Sequence, residues 1–498
     1  MNDSNLSSSD WALRSAADLQ SYDPAQVFSA GEHCHHISNT AYPLSHNVTW
    51  LPYRVKREGH RDLVESAFDR IRNGGLTLYS HIPFCQTRCY FCEYTVVGRS
   101  ELSATEEYMS LLSRELQMYG GLLGKRRLSG FDIGGGTPSF VDASLIEAHL
   151  SEVRRTFDVG AECLVSIETT PAIAAIEPAK IRAYRQMGID RISMGIQVTE
   201  PDLLKRLNRD SNGVSEIYRA AEHIRDAGFR NFNLDVMYGF ARQSLESLEH
   251  TLQVAVSPAP ESITLYRMRY KLTRISDEAD QVGLDFVRSH AALASRILKE
   301  AGYVSNPGKN TYTRRDQARL HSGTSAYLTR RVIQGMPYLG IGLGAQTFTD
   351  TSIAYNDGAA SKSIAPYRKS VELSRLPIQD QYNLPLIQMA AKMTAVSFYF
   401  GEVNLASFSQ KFGTTFENVY PNEVRYAISE GLMHYTESEN GPELAGLNRH
   451  SLSLTEKGAR HFNGTIALFF APSVQRVLLE NTVDLRRNRA AALSTAVA

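Results

Sequence analysis

HIPFCQTRCYFCEY, residues 81–94, places Cys85, Cys89 and Cys92 within eight positions, three of the chain's five cysteines. The run just before it, LTLYSHI (76–82), has the alternation and β-branched content of a short strand, so the cysteines occupy a loop leaving a strand's C-terminal end. Similar runs follow at SGFDIGG (129–135), CLVSIET (163–169), RISMGIQ (191–197), FNLDVMYG (232–239) and SITLYRM (262–268). Segments of helical period separate them, and several close on a glycine, as in RAYRQMG and HIRDAGF. This alternation predicts an α/β fold with a parallel sheet, and six units rather than eight predict a partial (β/α)6 barrel. In such folds chemistry collects at the C-terminal strand ends, where the cysteine loop lies.

Three thiolates with three and then two residues between them suit a cubane iron-sulfur cluster, because a compact loop can give three sulfurs to three irons and leave the fourth iron open. A structural zinc ion wants four protein ligands, and neither a second CxxC nor an HxxxH pair follows at a usable distance.

Composition narrows the function further. Fifty-three basic residues balance 53 acidic ones, so no net field draws the chain to nucleic acid or anionic lipid. The start, MNDSNLSSSDWALRS, lacks a basic region followed by an apolar core, and no apolar run reaches the length of about 18 residues that a membrane span needs. These features predict a cytoplasmic protein with neither membrane nor nucleic acid as partner. Five cysteines in 498 residues do not make a disulfide framework.

Around the barrel, an N-terminal extension (1–70) is expected over the active site, followed by the core domain (71–300) and a connecting region (301–375). A mostly helical, winged-helix-like cap (376–482) and a frayed tail (483–498) complete the chain. The cap is expected to contain helices at QYNLPLIQMAAKM and PNEVRYAISEGLM, a strand pair at MHYT and HSLSLT, and a closing helix in TEKGARHFNGTIALFF. Its acidic stretch PNEVRYAISEGLMHYTESEN favours a substrate lid over a DNA-binding wing.

In order and spacing, these motifs resemble the radical S-adenosylmethionine (SAM) enzymes, and within them the HemN-like branch typified by the oxygen-independent coproporphyrinogen III dehydrogenase. The resemblance covers roughly residues 75–270. It rests on Tyr79-Ser-His81-Ile-Pro-Phe-Cys85, Gly134-Gly135-Gly136-Thr137-Pro138 and Ser166-Ile-Glu168, then on Arg191 to Gln197, Asn208-Arg209 and Asn233-Leu-Asp235. It implies a [4Fe-4S] cluster on Cys85, Cys89 and Cys92 whose open iron chelates SAM. Gly134, Gly135, Gly136 and Thr137 would admit the methionyl amine to the backbone, since glycines lack side chains. Tyr79 would pack against the sulfonium, Glu168, Gln197 and Asp235 would accept ribose hydroxyls, and Arg209 would meet a SAM carboxylate. The cluster would be fed by a reductant such as flavodoxin or ferredoxin.

The chain departs from the dehydrogenase where its four-carboxylate substrate would be held. Tyr94 stands where the dehydrogenase has a fourth cysteine, NTAYPLSH carries no arginine, and an arginine pair leading a C-terminal helix is replaced by QDQYNLPLIQMAAKM. Arg267, Arg269, Arg314 and Arg315 are the candidate replacements. The signature of the heme-chaperone relatives is absent, the nearest stretch being AYNDGA. These departures favour the class C methylases and cyclopropanases of the branch. That likeness implies a second SAM, lined by Gly342 and Gly344, methyl or methylene transfer to an aromatic or conjugated small molecule, and possible company from a further methyltransferase. His33-Cys34-His35-His36 has the residue types of a metal site, but four adjacent residues cannot all face one ion without strain, so it is taken as a polar loop. Cys163 opens a strand and is assigned to the core.

Overall fold

A computed structural model describes residues 16–44, 46–69, 75–97, 103–318, 323–437 and 450–482. The six expected strands form as β1 (Leu76–Ile82), β2 (Arg127–Gly135), β3 (Asp158–Thr169), β4 (Arg191–Gln197), β5 (Phe232–Tyr238) and β6 (Ser262–Arg267). They pair in chain order, every neighbour parallel. Side chains alternate across each strand, and the two faces have opposite chemistry. Leu78, Ile133, Ile167, Met194, Leu234 and Ile263 belong to one buried core. Each such side chain contributes about 1.5–3 kcal/mol by leaving water.

The other face is polar. Register aligns Tyr79 with Asp132, Asp132 with Ser166, and Ser166 with Arg191, while Ser193 aligns with Asn233 and Asn233 with Ser262. A short helix, Ala326–Val332, lies across this inner face, where the Ser325 hydroxyl donates to Asp132 at 2.6 Å. Gly130 permits the crossing, because a Cβ there would stand 2.6 Å from the backbone nitrogen of Tyr327.

The sheet is wider than six strands. The connecting region adds β7 (Tyr303–Val304) and β8 (Thr311–Arg314) beyond β6, and β9 (Tyr338–Ile341), β10 (Gln346–Phe348) and β11 (Ser352–Asn356) beyond β1, where β12 (Ile378–Asn383), from the start of the expected cap, forms the edge. These strands run two to six residues, too short for their alternation to stand out in sequence. The expected helix at QYNLPLIQMAAKM is corrected accordingly: Gln381-Tyr382-Asn383 closes β12. The helix starts only at Leu386 and runs to Ser397, because Pro385 disfavours helical geometry in the residue before it.

The cap carries a three-stranded sheet, β13 (Glu402–Asn404), β15 (His450–Leu454) and β14 (Met433–Glu437), in that spatial order. Helices Leu405–Phe412 and Pro421–Ser429 accompany it, and the single closing helix expected in TEKGARHFNGTIALFF divides into Glu456–Arg460 and Phe462–Leu468. The N-terminal helix Pro24–His33 packs on the last of these, with Glu32 accepting from Arg288 and from the His461 ring at 3.0 Å. Residues 483–498, expected to fray, lie outside the described residues. Among the described residues, no helix is long and apolar enough to cross a membrane.

Candidate active site

The cysteine loop leaves β1 and is fastened at several points. His81 Nε2 bonds the Thr95 carbonyl at 2.7 Å and Val97 N–H donates to the Pro83 carbonyl, so the loop's two ends stay together. At its tip, the Asn208 amide donates to the Arg88 carbonyl at 2.8 Å, and Tyr90 N–H donates to the Leu207 carbonyl. Asn208 does this with φ 61°, a left-handed backbone that asparagine tolerates better than most residues. The three thiols are half-buried. Thr137 Oγ1 donates to Cys85 Sγ at 3.5 Å, and Arg209 Nη1 donates to Cys89 Sγ at 3.2 Å.

This arrangement fits the implied cluster better than a single ion. Among the described residues no three His, Cys, Asp or Glu side chains converge as ligands of one metal ion, whereas a cubane takes each thiolate on a separate iron. Burial pushes the free Cys85 thiol up to about 12 and the Cys92 thiol up to about 11, and the neighbouring sulfurs add to the Cys85 shift. Only a bound metal would draw off these protons, as coordination does. Gly136 is required by the loop itself, since a Cβ there would stand 2.7 Å from the Phe84 carbonyl oxygen and 2.9 Å from Cys85 Sγ.

Glu168 and Gln197 sit at the C-terminal ends of β3 and β4, and Tyr79 and Asp235 lie midway along β1 and β5. Gly135 N–H donates to Glu168 at 3.2 Å, and a Cβ on Gly134 would press on both the Glu168 carboxyl and the Tyr79 ring at 3.0 Å. Asp235 accepts from Ser193 at 3.1 Å and from Asn233 at 2.7 Å. Gln197 has φ 64°, and its buried Oε1 has no donor. Glu168 keeps exposed surface, yet desolvation, followed by the neighbouring Asp235 carboxylate, pushes its carboxyl up to about 8. Tyr94 behaves alike, with 56% of its surface exposed while burial still raises its phenol. Side chains that have free surface but lie deep in the protein line an internal hollow. Arg209 is committed to Cys89 and to the Gly195 carbonyl, so it borders the cysteine loop, with its Nε buried and unpaired.

Gly342 and Gly344 have packing reasons of their own. Gly342 holds φ 95°, and a Cβ there would stand 2.6 Å from both the His81 carbonyl oxygen and the Tyr108 hydroxyl; at Gly344 the obstacle is Thr95 Oγ1, 2.7 Å away. His33 ends the N-terminal helix, Cys34 is buried against Thr482, and His35 bonds Arg267, so the four-residue stretch is spread over separate partners. Of the candidate arginines, Arg269 faces the hollow and pairs with Glu93, while Arg314 pairs with Asp316 and Glu261.

Sequence reading missed two cations on this side of the barrel: Arg331, stacked on Tyr327 5.9 Å from Tyr79, and Lys392, on a helix that touches that of Arg331. Arg331 follows another arginine in a short helix, and Lys392 is the one charge in an apolar helical stretch, the only hint it offers.

Residues 79–255 match the Radical SAM superfamily. The structure of coproporphyrinogen III oxidase (HemN) from Escherichia coli superposes with a TM-score of 0.67, covering 85% of this chain and 96% of that one at 21% identity. The heme chaperone HemW of Buchnera aphidicola subsp. Schizaphis graminum is 33% identical over 193 residues, which are 39% of this chain and 50% of that protein. HemW of Bacillus subtilis is 24% identical over 72% of this chain and 93% of its own length. The oxygen-independent coproporphyrinogen III oxidase of Escherichia coli is 27% identical over 65% of this chain and 72% of its own. The chain thus spans half the length of the first of these relatives and most of the other two.

Over residues 79–255 the chain is similar to the radical SAM superfamily, a class that implies a [4Fe-4S] cluster and SAM, and its fold is that of the HemN structure. Within that class its relatives are HemN-like, including both the oxidase and the chaperone. The expected methyl or methylene transfer of a class C methylase or cyclopropanase is overturned, since the matching relatives carry the oxidase and chaperone names.

Proposed function

We propose that the chain is a radical SAM oxidoreductase that removes hydrogen from a carboxylate-bearing tetrapyrrole, with oxidative decarboxylation of the coproporphyrinogen III type as its reaction. The observation that carries this reading is the thiol loop opening, beside Glu168, into a hollow with buried cations on the same side of the barrel. A [4Fe-4S] cluster on Cys85, Cys89 and Cys92 would pass one electron to SAM and so supply the 5′-deoxyadenosyl radical that takes a hydrogen atom. Gly134, Gly135 and Gly136 leave the backbone open to the methionyl group, and the Tyr79 ring offers its face to the sulfonium. Glu168 and Asp235 give acceptors for ribose hydroxyls and counter-charge for a cationic ligand, while Gln197 turns an unpaired oxygen toward the same strand ends. Arg209 holds the Cys89 side of the loop and has Nε left for an anionic group. In this reading the cap and N-terminal arm would keep water from the hollow. A flavodoxin- or ferredoxin-like reductant suits the electron supply, and the electron left after CO2 departs must go to an external acceptor.

The test is anaerobic turnover of the reconstituted protein with SAM and coproporphyrinogen III. Equal formation of 5′-deoxyadenosine and methionine, together with a product that has lost CO2, is the expected result. The relatives named as chaperones support a second reading. Stable stoichiometric heme binding with no porphyrinogen consumed would replace the first reading by that one.

A further inference from the structure

Several cations of this protein meet a carboxylate. Lys411 meets Asp350 at 2.6 Å, Arg225 meets Glu261 at 2.9 Å, and Arg269 pairs with Glu93. Two others do not. The Arg331 guanidinium lies 4.5 Å and 5.1 Å from the ring centroids of Tyr338 and Tyr327 and donates to the Tyr327 hydroxyl at 2.7 Å. Its Nε is buried without an acceptor. Lys392, 7% exposed, gives one N–H to the Tyr42 carbonyl at 2.9 Å and has two more to give. Among the described residues no carboxylate forms an ion pair with either, and the charges that act on Lys392 are Arg331 and Arg269.

An unpaired buried cation is costly, and two facing each other are costlier, because desolvation and repulsion add. The state that relieves both is one with an anion between them. The surroundings say which anion. Tyr327 stands 5.9 Å from Tyr79, centroid to centroid, and Tyr79 and Glu168 flank Gly134, so Arg331 lies on the Glu168 side of the barrel, with the helix of Lys392 against its own.

We propose that Arg331 and Lys392 are the seat for a carboxylate of the substrate, with Arg269 beside them held in reserve by Glu93 and Tyr399. This seat sets specificity, since a neutral ester offers nothing to either cation, and it rests on the tetrapyrrole reading above. Burial first, then Arg331 and Arg269, holds the empty Lys392 ammonium down to about 7, and His46 is the remaining titratable neighbour. An arriving carboxylate restores the charge, so binding above that pH takes up a proton.

The experiment is an anaerobic absorbance titration of the reconstituted protein with coproporphyrin III and, separately, with its tetramethyl ester. Lys392→Met and Arg331→Met should each weaken binding of the acid at least about tenfold and leave the ester unchanged, whereas Lys392→Arg should retain the affinity. The ligand-free Lys392→Met protein should melt no lower than the parent, because it no longer buries an unpaired charge. Unchanged affinity for the acid in both methionine variants, or a parent that does not distinguish acid from ester, would overturn the seat. A larger loss of SAM affinity than of porphyrin affinity would overturn it too, by assigning the anion to SAM. If the parent binds the acid as described yet leaves coproporphyrinogen III unreacted, the seat stands and the reaction assigned above fails.

Discussion

Glu115 on the barrel's outer wall and the pair Arg331 and Lys392 beside its hollow are all charges taken from water, but they are treated in opposite ways. Glu115 accepts from Gly342 N–H at 2.7 Å, from the Asn356 amide at 2.7 Å and from the Tyr367 hydroxyl at 2.6 Å. Those bonds clamp the helix Thr105–Leu123 to the turn after β9, and the carboxyl has nothing left to offer a ligand. Arg331 and Lys392 keep donors in hand and have no anion. A complete set of partners marks structure, and an incomplete one marks a place where a ligand finishes the arrangement.

The comparison breaks first if the hollow is not a reaction chamber. Cys89→Ala should abolish reductive SAM cleavage, with iron analysis and 5′-deoxyadenosine formation both falling to background, because no substitute ligand is at hand. Cleavage at the parental rate would remove the chamber altogether.

Glu168 sharpens the contrast next. Burial and Asp235 push its carboxyl up to about 8, and a cationic ligand favours the ionised form, so SAM binding should release a proton. SAM affinity should therefore rise with pH up to about 8 and level off above it. Glu168→Gln should weaken SAM at least about tenfold and flatten that profile in equilibrium titrations. A profile unchanged by the substitution would place the titrating group elsewhere.

On the wall, the effect is on stability. Burial outweighs three donors and holds Glu115 up to about 7, above its unfolded value. The folded state then keeps a proton that the unfolded chain gives up, so this group's contribution to stability falls as pH rises from the unfolded value toward 7. Glu115→Gln should remove that dependence and cost about 1–3 kcal/mol, since its amide must face a donor, as measured by denaturant melts. The smallest effects belong to the remaining thiols. Cys163→Ala and Cys34→Ala should leave iron content unchanged, because one packs in the barrel core and the other against Thr482.

Much of the chamber was legible because its signals are local. The strand LTLYSHI ends where it was expected to, at Ile82, and the loop that follows carries all three thiols within one short segment. Glu168 and Asp235 were singled out by the resemblance, through Ser166-Ile-Glu168 and Asn233-Leu-Asp235, each of which lies within one strand. The seat was not legible, because Arg331 and Lys392 come from helices 60 residues apart, far along the chain from β1, and meet only after the short strands β9 to β12 fold back beside β1. Gly342 shows a related ambiguity. A glycine needed to let a turn approach His81 looks in sequence like a glycine that makes room for a ligand.

The central claim is that the hollow brings a substrate side chain, not a SAM methyl group, to the radical. It is tested most directly with coproporphyrinogen III deuterated in its propionate side chains, followed by mass analysis of the 5′-deoxyadenosine formed in anaerobic turnover. The account predicts one deuterium in each molecule of 5′-deoxyadenosine made during productive turnover. Product formation with no deuterium in the nucleoside would contradict it.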